Sequence, residues 1–290
     1  MKLKGIIPII PTIFDERGDI DPNSTAKLAR YAVSKGVESI VYPGVASEDV
    51  HLSIFERLEI IKTIKSKIDK NIILISGVNS HDPDQIIEIT SKSAKSGSNM
   101  IMAMATPSMD NNYKYWFKQI AKNSKDIKII LQNAPDPRGS NLSANEIFNV
   151  ITFVPEITHI KEENIPSGFQ IESIKSKFNK KNIGIIGGGG GRYMFEELER
   201  GIVASMPAIE LLELHMQLYK NFISGNKEKA LNLYIKSLPL LILQLPYRMR
   251  FTKLILASDK LINCERVREP LPEIDLYLRK YILKLYDKLF

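Results

Sequence analysis

Short apolar runs alternate with amphipathic stretches eight times between residues 5 and 205, and this alternation leaves few folds open. The runs at 5–10, 39–42, 72–76, 100–103, 127–131, 158–161, 183–186 and 202–205 have the length and β-branched content of strands. Between them, apolar residues recur every three or four positions at 24–34, 54–68, 84–94, 113–121, 144–150, 168–178 and 193–199, as helices require. Asp21-Pro22, Ser53 before Glu56, and Asp82-Pro83 are helix-start signals. Strands that are apolar on both faces belong to a parallel sheet covered by helices. Eight such βα units in residues 1–225 make a (β/α)8 TIM barrel, an α/β fold. A doubly wound sheet usually has fewer strands and a Gly-x-Gly-x-x-Gly turn after the first; here Pro11-Thr12-Ile13-Phe14 stands there. From 226 to 290 the texture becomes helical, with three helices expected at 227–235, 246–257 and 272–289 as a C-terminal appendage.

With 44% hydrophobic and 25% charged residues, the chain can build a large core without a disulfide or metal staple. Its one cysteine, Cys264, cannot pair internally and fits a reducing, cytoplasmic setting. The four histidines are scattered, so no metal site and no metal cofactor are expected. A net charge of +7 raises the question of nucleic acid, but the lysines are spread over helix faces without interleaved aromatics. The apolar runs are too short to span a bilayer, and no signal segment is legible at the start. A small-molecule partner is expected, not nucleic acid or membrane.

In such barrels the chemistry sits at the C-terminal ends of the strands. The sixth run, Thr158-His159-Ile160-Lys161, ends in a lysine, with Glu163 two residues beyond. A lysine in that place is a candidate Schiff-base nucleophile. If the strand stays extended, Lys161 and Glu163 share one side, because strand side chains repeat every two residues. A carboxylate beside the amine is a competent general acid and base.

The ordered set of motifs resembles the dihydrodipicolinate synthase / N-acetylneuraminate lyase family along the whole length. Carrying it are Pro8-Ile9-Ile10-Pro11-Thr12-Ile13-Phe14, Gly44 to Glu48, Gln132-Asn133-Ala134-Pro135, Ile160-Lys161-Glu162 and Val267-Arg268-Glu269-Pro270-Leu271. The resemblance implies a homo-oligomer, tetramer or dimer, and an imine between Lys161 and a 2-oxo acid. It also implies that Gly44, Ala46 and Ser47 bind the substrate carboxylate. The glycines at 187–191, among them Gly188 and Gly189, and Ser205 follow the last two strands and join the expected substrate site. A glycine run after the seventh strand of a barrel can also cradle phosphate, although close backbone packing explains it as well.

The departures from the family pattern are as informative. Its proton-relaying tyrosine, hydroxyl residue and second tyrosine are replaced by Gln132, Val45 and the Ser108-Met109 pair. Its carboxylate-binding arginine aligns with Pro137, beside Arg138. The expected catalytic group is therefore Lys161, Glu163 and Gln132. The expected reaction is dehydration of a 2-keto-3-deoxy sugar acid, in which branches such as the L-2-keto-3-deoxyarabonate dehydratases are similar in using a carboxylate. Pyruvate-releasing aldol cleavage is the alternative, and a non-catalytic binding barrel is the reading from outside enzymology.

Overall fold

The computed structural model describes residues 3–178 and 183–289. Its eight parallel strands are β1 (Gly5–Ile6), β2 (Ser39–Val41), β3 (Ile73–Gly77), β4 (Met100–Met104), β5 (Lys128–Asn133), β6 (Ile157–Glu162), β7 (Gly184–Gly187) and β8 (Ala204–Ser205). They pair in the order β1-β8-β7-β6-β5-β4-β3-β2. The seam between β1 and β2 is joined just beyond β1. There the Ile10 N–H donates to the Val41 carbonyl and the Val41 N–H to that of Pro8, both at 3.0 Å. This is the expected (β/α)8 barrel. The first strand is shorter than the run at 5–10 suggested, because Pro8 has no N–H to give a ladder.

Seven helices follow the first seven strands: α1 (Pro22–Ser34), α2 (Ile54–Lys67), α3 (Pro83–Lys95), α4 (Tyr113–Asn123), α5 (Ala144–Phe153), α6 (Ser167–Lys177) and α7 (Met194–Glu199). Beyond β8 come α8 (Leu212–Ile223), α9 (Lys227–Ser258) and α10 (Leu276–Tyr286). Ser53 and Ser143 close capping boxes with Glu56 and Glu146, which fixes where α2 and α5 begin. One apolar cluster fills the barrel, with Ile7, Val41, Ile75, Met102, Ile130 and Ile186 facing inward. A larger one lies between sheet and helices.

The C-terminal helices depart from the sequence expectation. The segments at 227–235 and 246–257 are parts of one helix, α9, which runs through Pro239 and Pro246. Each proline removes a backbone donor, yet Leu240, Leu241 and Leu254 are buried in one cluster with Leu211, Leu214 and Ile282, and that packing holds the helix together. The helix breaks in dihedral terms only at Arg248, at φ 43 and ψ −113.

A buried ion pair ties α9 and the tail to the barrel mouth. Glu48 follows the turn after β2 in the left-handed conformation, and its carboxylate accepts from Lys253 Nζ at 2.8 Å and from the backbone N–H groups of Arg268 and Glu269. Lys253 also stands 4.4 Å from the centre of the Phe14 ring. Leaving either charge unpaired there costs about 3–5 kcal/mol, so the three segments stay together. As a result α9 forms part of the wall over the barrel's catalytic end.

Candidate active site

Parallel register decides which strand residues face inward. Lys161 lies opposite Gln132 on β5 and Ile186 on β7, whereas Glu162 lies opposite Asn133 and Gly187. Paired residues point to the same face, so Gln132, Lys161 and Ile186 face the barrel axis. Glu162 faces the helix layer, where it accepts from Asn133 Nδ2 at 2.9 Å and the Asn164 N–H at 2.8 Å.

Glu163 continues the ladder by donating its N–H to the Asn133 carbonyl, and its side chain lies on the side of Lys161. Lys161 is 1% exposed and its Nζ is 3.0 Å from Glu163 Oε1. Gln132 Nε2 donates to Glu163 Oε2 at 2.5 Å, and the Gly189 N–H donates to Oε1 at 3.2 Å. Burial alone would raise the pKa of this carboxyl. The Lys161 charge and the donors Gln132 and Gly189 outweigh it and hold Glu163 below the usual carboxylate range. A side chain at Gly188 would collide with Glu163, its Cβ falling 2.4 Å from Cγ. That glycine makes room for the carboxylate.

These groups open on a cavity of about 500 Å³. Ala46 and Gly189 lie on its wall with Lys161 and Glu163. Val45 and Ala46 begin a short 3-10 turn, Val45–Ser47, and first-turn N–H groups have no acceptor inside the turn. Neither N–H has an acceptor among the described residues, which leaves both to meet a substrate carboxylate. Ser47 is placed differently. Its hydroxyl accepts from the Gly44 N–H at 3.0 Å and donates to the Ile10 carbonyl at 2.6 Å, so it is spent within the fold. Gly44 serves that turn and does not line the cavity. Ser205 lies opposite Gly187 and so faces the helix layer; its buried hydroxyl has no partner among the described residues. Gln132 is beneath Glu163 and orients it, without reaching the cavity wall.

Several wall residues escaped the sequence reading of the site: Tyr193, Glu197, Gln244 and Arg248. Arg192, which directly follows the glycine run, lies on the wall as well, and Tyr193 beside it could have been found by the same signal. Gln244 and Arg248 belong to α9, which the sequence set apart from the barrel.

Glu197 is 1% exposed, and its Oε2 has no hydrogen-bond partner among the described residues. Burial pushes its pKa up to about 7, against the Ser167 hydroxyl and with help from the charges of Glu163 and Glu162. Its unfolded value is near 4.5. Between the two values the folded state keeps a proton the unfolded chain has lost. Its contribution to stability is therefore full below about pH 4.5 and falls as pH rises to about 7, by up to about 3 kcal/mol. Glu197→Gln should cancel that fall. Urea unfolding at pH 5 and pH 8 should show the variant gaining on wild type at the higher pH; parallel losses in both would contradict the assignment.

The dihydrodipicolinate synthetase family model matches residues 2–286. The chain belongs to that family. Among curated relatives, a 4-hydroxy-tetrahydrodipicolinate synthase of Prochlorococcus marinus is 30% identical over 152 residues, 51% of this chain and 50% of the relative. One of Karelsulcia muelleri is 30% identical over 186 residues, 61% of each chain. The aligned stretch thus spans about half or somewhat more of the relatives' length. The dihydrodipicolinate synthase of Rhodopseudomonas palustris superposes with a TM-score of 0.91 at 22% identity, over 99% of both chains. The sialic acid aldolase of Ruminococcus gnavus does so at 0.88 and 18% identity, over 100% of this chain and 98% of that one. These likenesses establish a shared fold. Val45 lies on the cavity wall, Gln132 under Glu163, and Met109 is buried between sheet and helices. No described helix is long and apolar enough to cross a membrane.

Proposed function

We propose that this chain is a Schiff-base-forming lyase that dehydrates a 2-keto-3-deoxy sugar acid. The observation that carries the reading is the 3.0 Å contact between Lys161 Nζ and Glu163 Oε1 inside the cavity. Glu163 takes a proton from the ammonium, and the freed amine attacks C2 of the 2-oxo acid. The same proton then leaves with the C2 hydroxyl as water, which forms the imine and restores the carboxylate. The imine acidifies C3–H, and Glu163 removes that proton to give an enamine. The enamine expels the C4 hydroxyl, which Glu163 protonates as it leaves. The C3=C4 bond is then moved by proton transfer: C5–H and the C5 hydroxyl proton are lost as C3 and C4 are protonated, which leaves a carbonyl at C5, and water hydrolyses the imine and regenerates Lys161. Each step is an addition, an elimination or a proton transfer, so the sequence calls for no cofactor. The free N–H groups of Val45 and Ala46 suit the C1 carboxylate.

Retro-aldol cleavage instead needs the C4 hydroxyl deprotonated, and the Gln132 amide has no proton to exchange for that purpose. Tyr193 on the cavity wall is the one feature that favours an aldolase as the second reading. Incubation with 2-keto-3-deoxy sugar acids tests the choice: a dioxo or semialdehyde acid without free pyruvate is expected, and pyruvate forming in step with substrate loss would mean cleavage. Because the relay hydroxyls are gone, pyruvate should not condense with aspartate semialdehyde. Gln132→Tyr alone should not create that activity, since Val45 and Met109 remain; efficient turnover by either protein in a coupled assay would refute this.

A further inference from the structure

The proposed imine chemistry leaves unused three guanidiniums on the cavity wall, Arg138, Arg192 and Arg248. They come from three segments: the loop after β5, the loop after β7, and the break in α9. Arg192 gives one N–H to Gln244 Oε1 at 3.1 Å, and Gln244 is fixed in turn by the carboxylate of Glu210. Its remaining side-chain N–H groups have no acceptor among the described residues. Arg138 and Arg248 make no side-chain hydrogen bond among those residues. Each is ion-paired, without a hydrogen bond, to the same oxygen of Glu269, at 3.9 and 3.5 Å, which leaves its N–H groups free to bond a ligand. Of the wall's own carboxylates, Glu163 is bound to Lys161, Glu197 is buried, and Asp136 is exposed at the rim.

The backbone at Arg248 points the same way. At φ 43 and ψ −113 it occupies a conformation that L residues avoid, in the middle of a helix. Such strain costs on the order of 1–3 kcal/mol and persists where the surroundings over-determine it, typically at ligand clamps. Here Met249, Phe251 and the Glu48–Lys253 pair hold the helix on the C-terminal side of the break. The break places Arg248 on the wall of the cavity that holds Lys161.

The geometry points to a second anion subsite: Arg192 and Arg248, with Arg138 at the rim, bind a terminal carboxylate or phosphate of a 2-oxo acid whose C2 reacts at Lys161. The substrate class is then a dianionic 2-oxo acid. This rests on the Schiff-base reading and narrows it. Guanidiniums with unspent N–H groups recognise planar or tetrahedral oxyanions through paired hydrogen bonds, and a cavity of about 500 Å³ has room for a six-carbon acid between them and Lys161.

The test is borohydride trapping of the Lys161 imine over a concentration series of three matched probes. These are 2-oxoadipate, with a distal carboxylate; 2-oxohexanoate, with a methyl end; and 5-phosphono-2-oxopentanoate. In wild type, one of the two dianions should half-saturate trapping at a concentration roughly tenfold or more below that of 2-oxohexanoate, as expected for charge-assisted hydrogen bonds. The preference should weaken as salt is raised. Whichever dianion traps at the lower concentration assigns the subsite to carboxylate or to phosphate. Arg192→Gln and Arg248→Gln should each shrink the preference severalfold, and Arg→Lys at either place should retain part of it. Equal half-saturation by all three acids in wild type would overturn the subsite while leaving the imine intact. A preference unchanged in both Arg→Gln variants would do the same. Absence of any imine would overturn the Schiff-base reading, and the subsite with it.

Discussion

Lys161→Ala should abolish the adduct that borohydride traps with a 2-oxo acid and lower turnover by roughly 10⁴-fold or more, the scale on which loss of a covalent nucleophile is felt. The expectation follows from placement. Lys161 is 1% exposed, at the end of an inward-facing strand row, with its amine 3.0 Å from the Glu163 carboxylate. Other lysines differ in just these respects. Lys253 is as deeply buried, but its ammonium is bound to Glu48 and to the Arg266 carbonyl, beneath the tail rather than on the cavity wall. The remaining described lysines are exposed or half-buried. Intact mass before and after reduction, followed by peptide mapping, reads the result directly. One reduced adduct at Lys161 in wild type and none in Lys161→Ala is expected. An adduct on another lysine, or none across a broad panel of 2-oxo acids, would remove the nucleophile from the proposed function.

Much of the barrel was legible because its strands are apolar on both faces and its helices on one, two periods that do not mimic each other. The runs at 72–76, 100–103 and 127–131 fall on β3, β4 and β5 within a residue or two, and Ser53 marks the start of α2. Where the expectation missed, tertiary packing decided. Proline content suggested a break near 246, but buried Leu240, Leu241 and Leu254 keep α9 continuous and move the dihedral break to Arg248. The pairing of Lys161 with Glu163 could be reasoned from a two-residue period along one strand. Arg248 could not, because it reaches the cavity from 87 positions beyond Lys161 through a helix packed across the barrel mouth. Ser47 failed for a related reason. A serine in a glycine-led turn suits a substrate carboxylate and a fold-internal hydrogen bond equally well by sequence. Only the nearness of the Ile10 carbonyl selects the second.

Glu163→Gln should separate imine formation from the chemistry that follows it. The substitution keeps the side chain's shape while removing its capacity to exchange a proton. Lys161 can still shed a proton to water, so the imine should still form and be trapped, more slowly. Turnover of the 2-keto-3-deoxy sugar acid should fall by roughly 10²–10⁴-fold, the range for a lost general acid–base. Wild-type Glu163 is held ionised by Lys161, Gln132 and Gly189, so the activity that depends on its carboxylate should persist as pH is lowered through the ordinary carboxylate range and fail only below it. Gln132→Leu, which removes one donor, should move that acid limb upward, whereas a residue that only supported the fold would leave the limb where it is. If Glu163→Gln trapped and turned over substrate as wild type does, the carboxylate would have no part in proton transfer, and the choice between elimination and cleavage would pass to Tyr193, the remaining hydroxyl-bearing ring on the cavity wall.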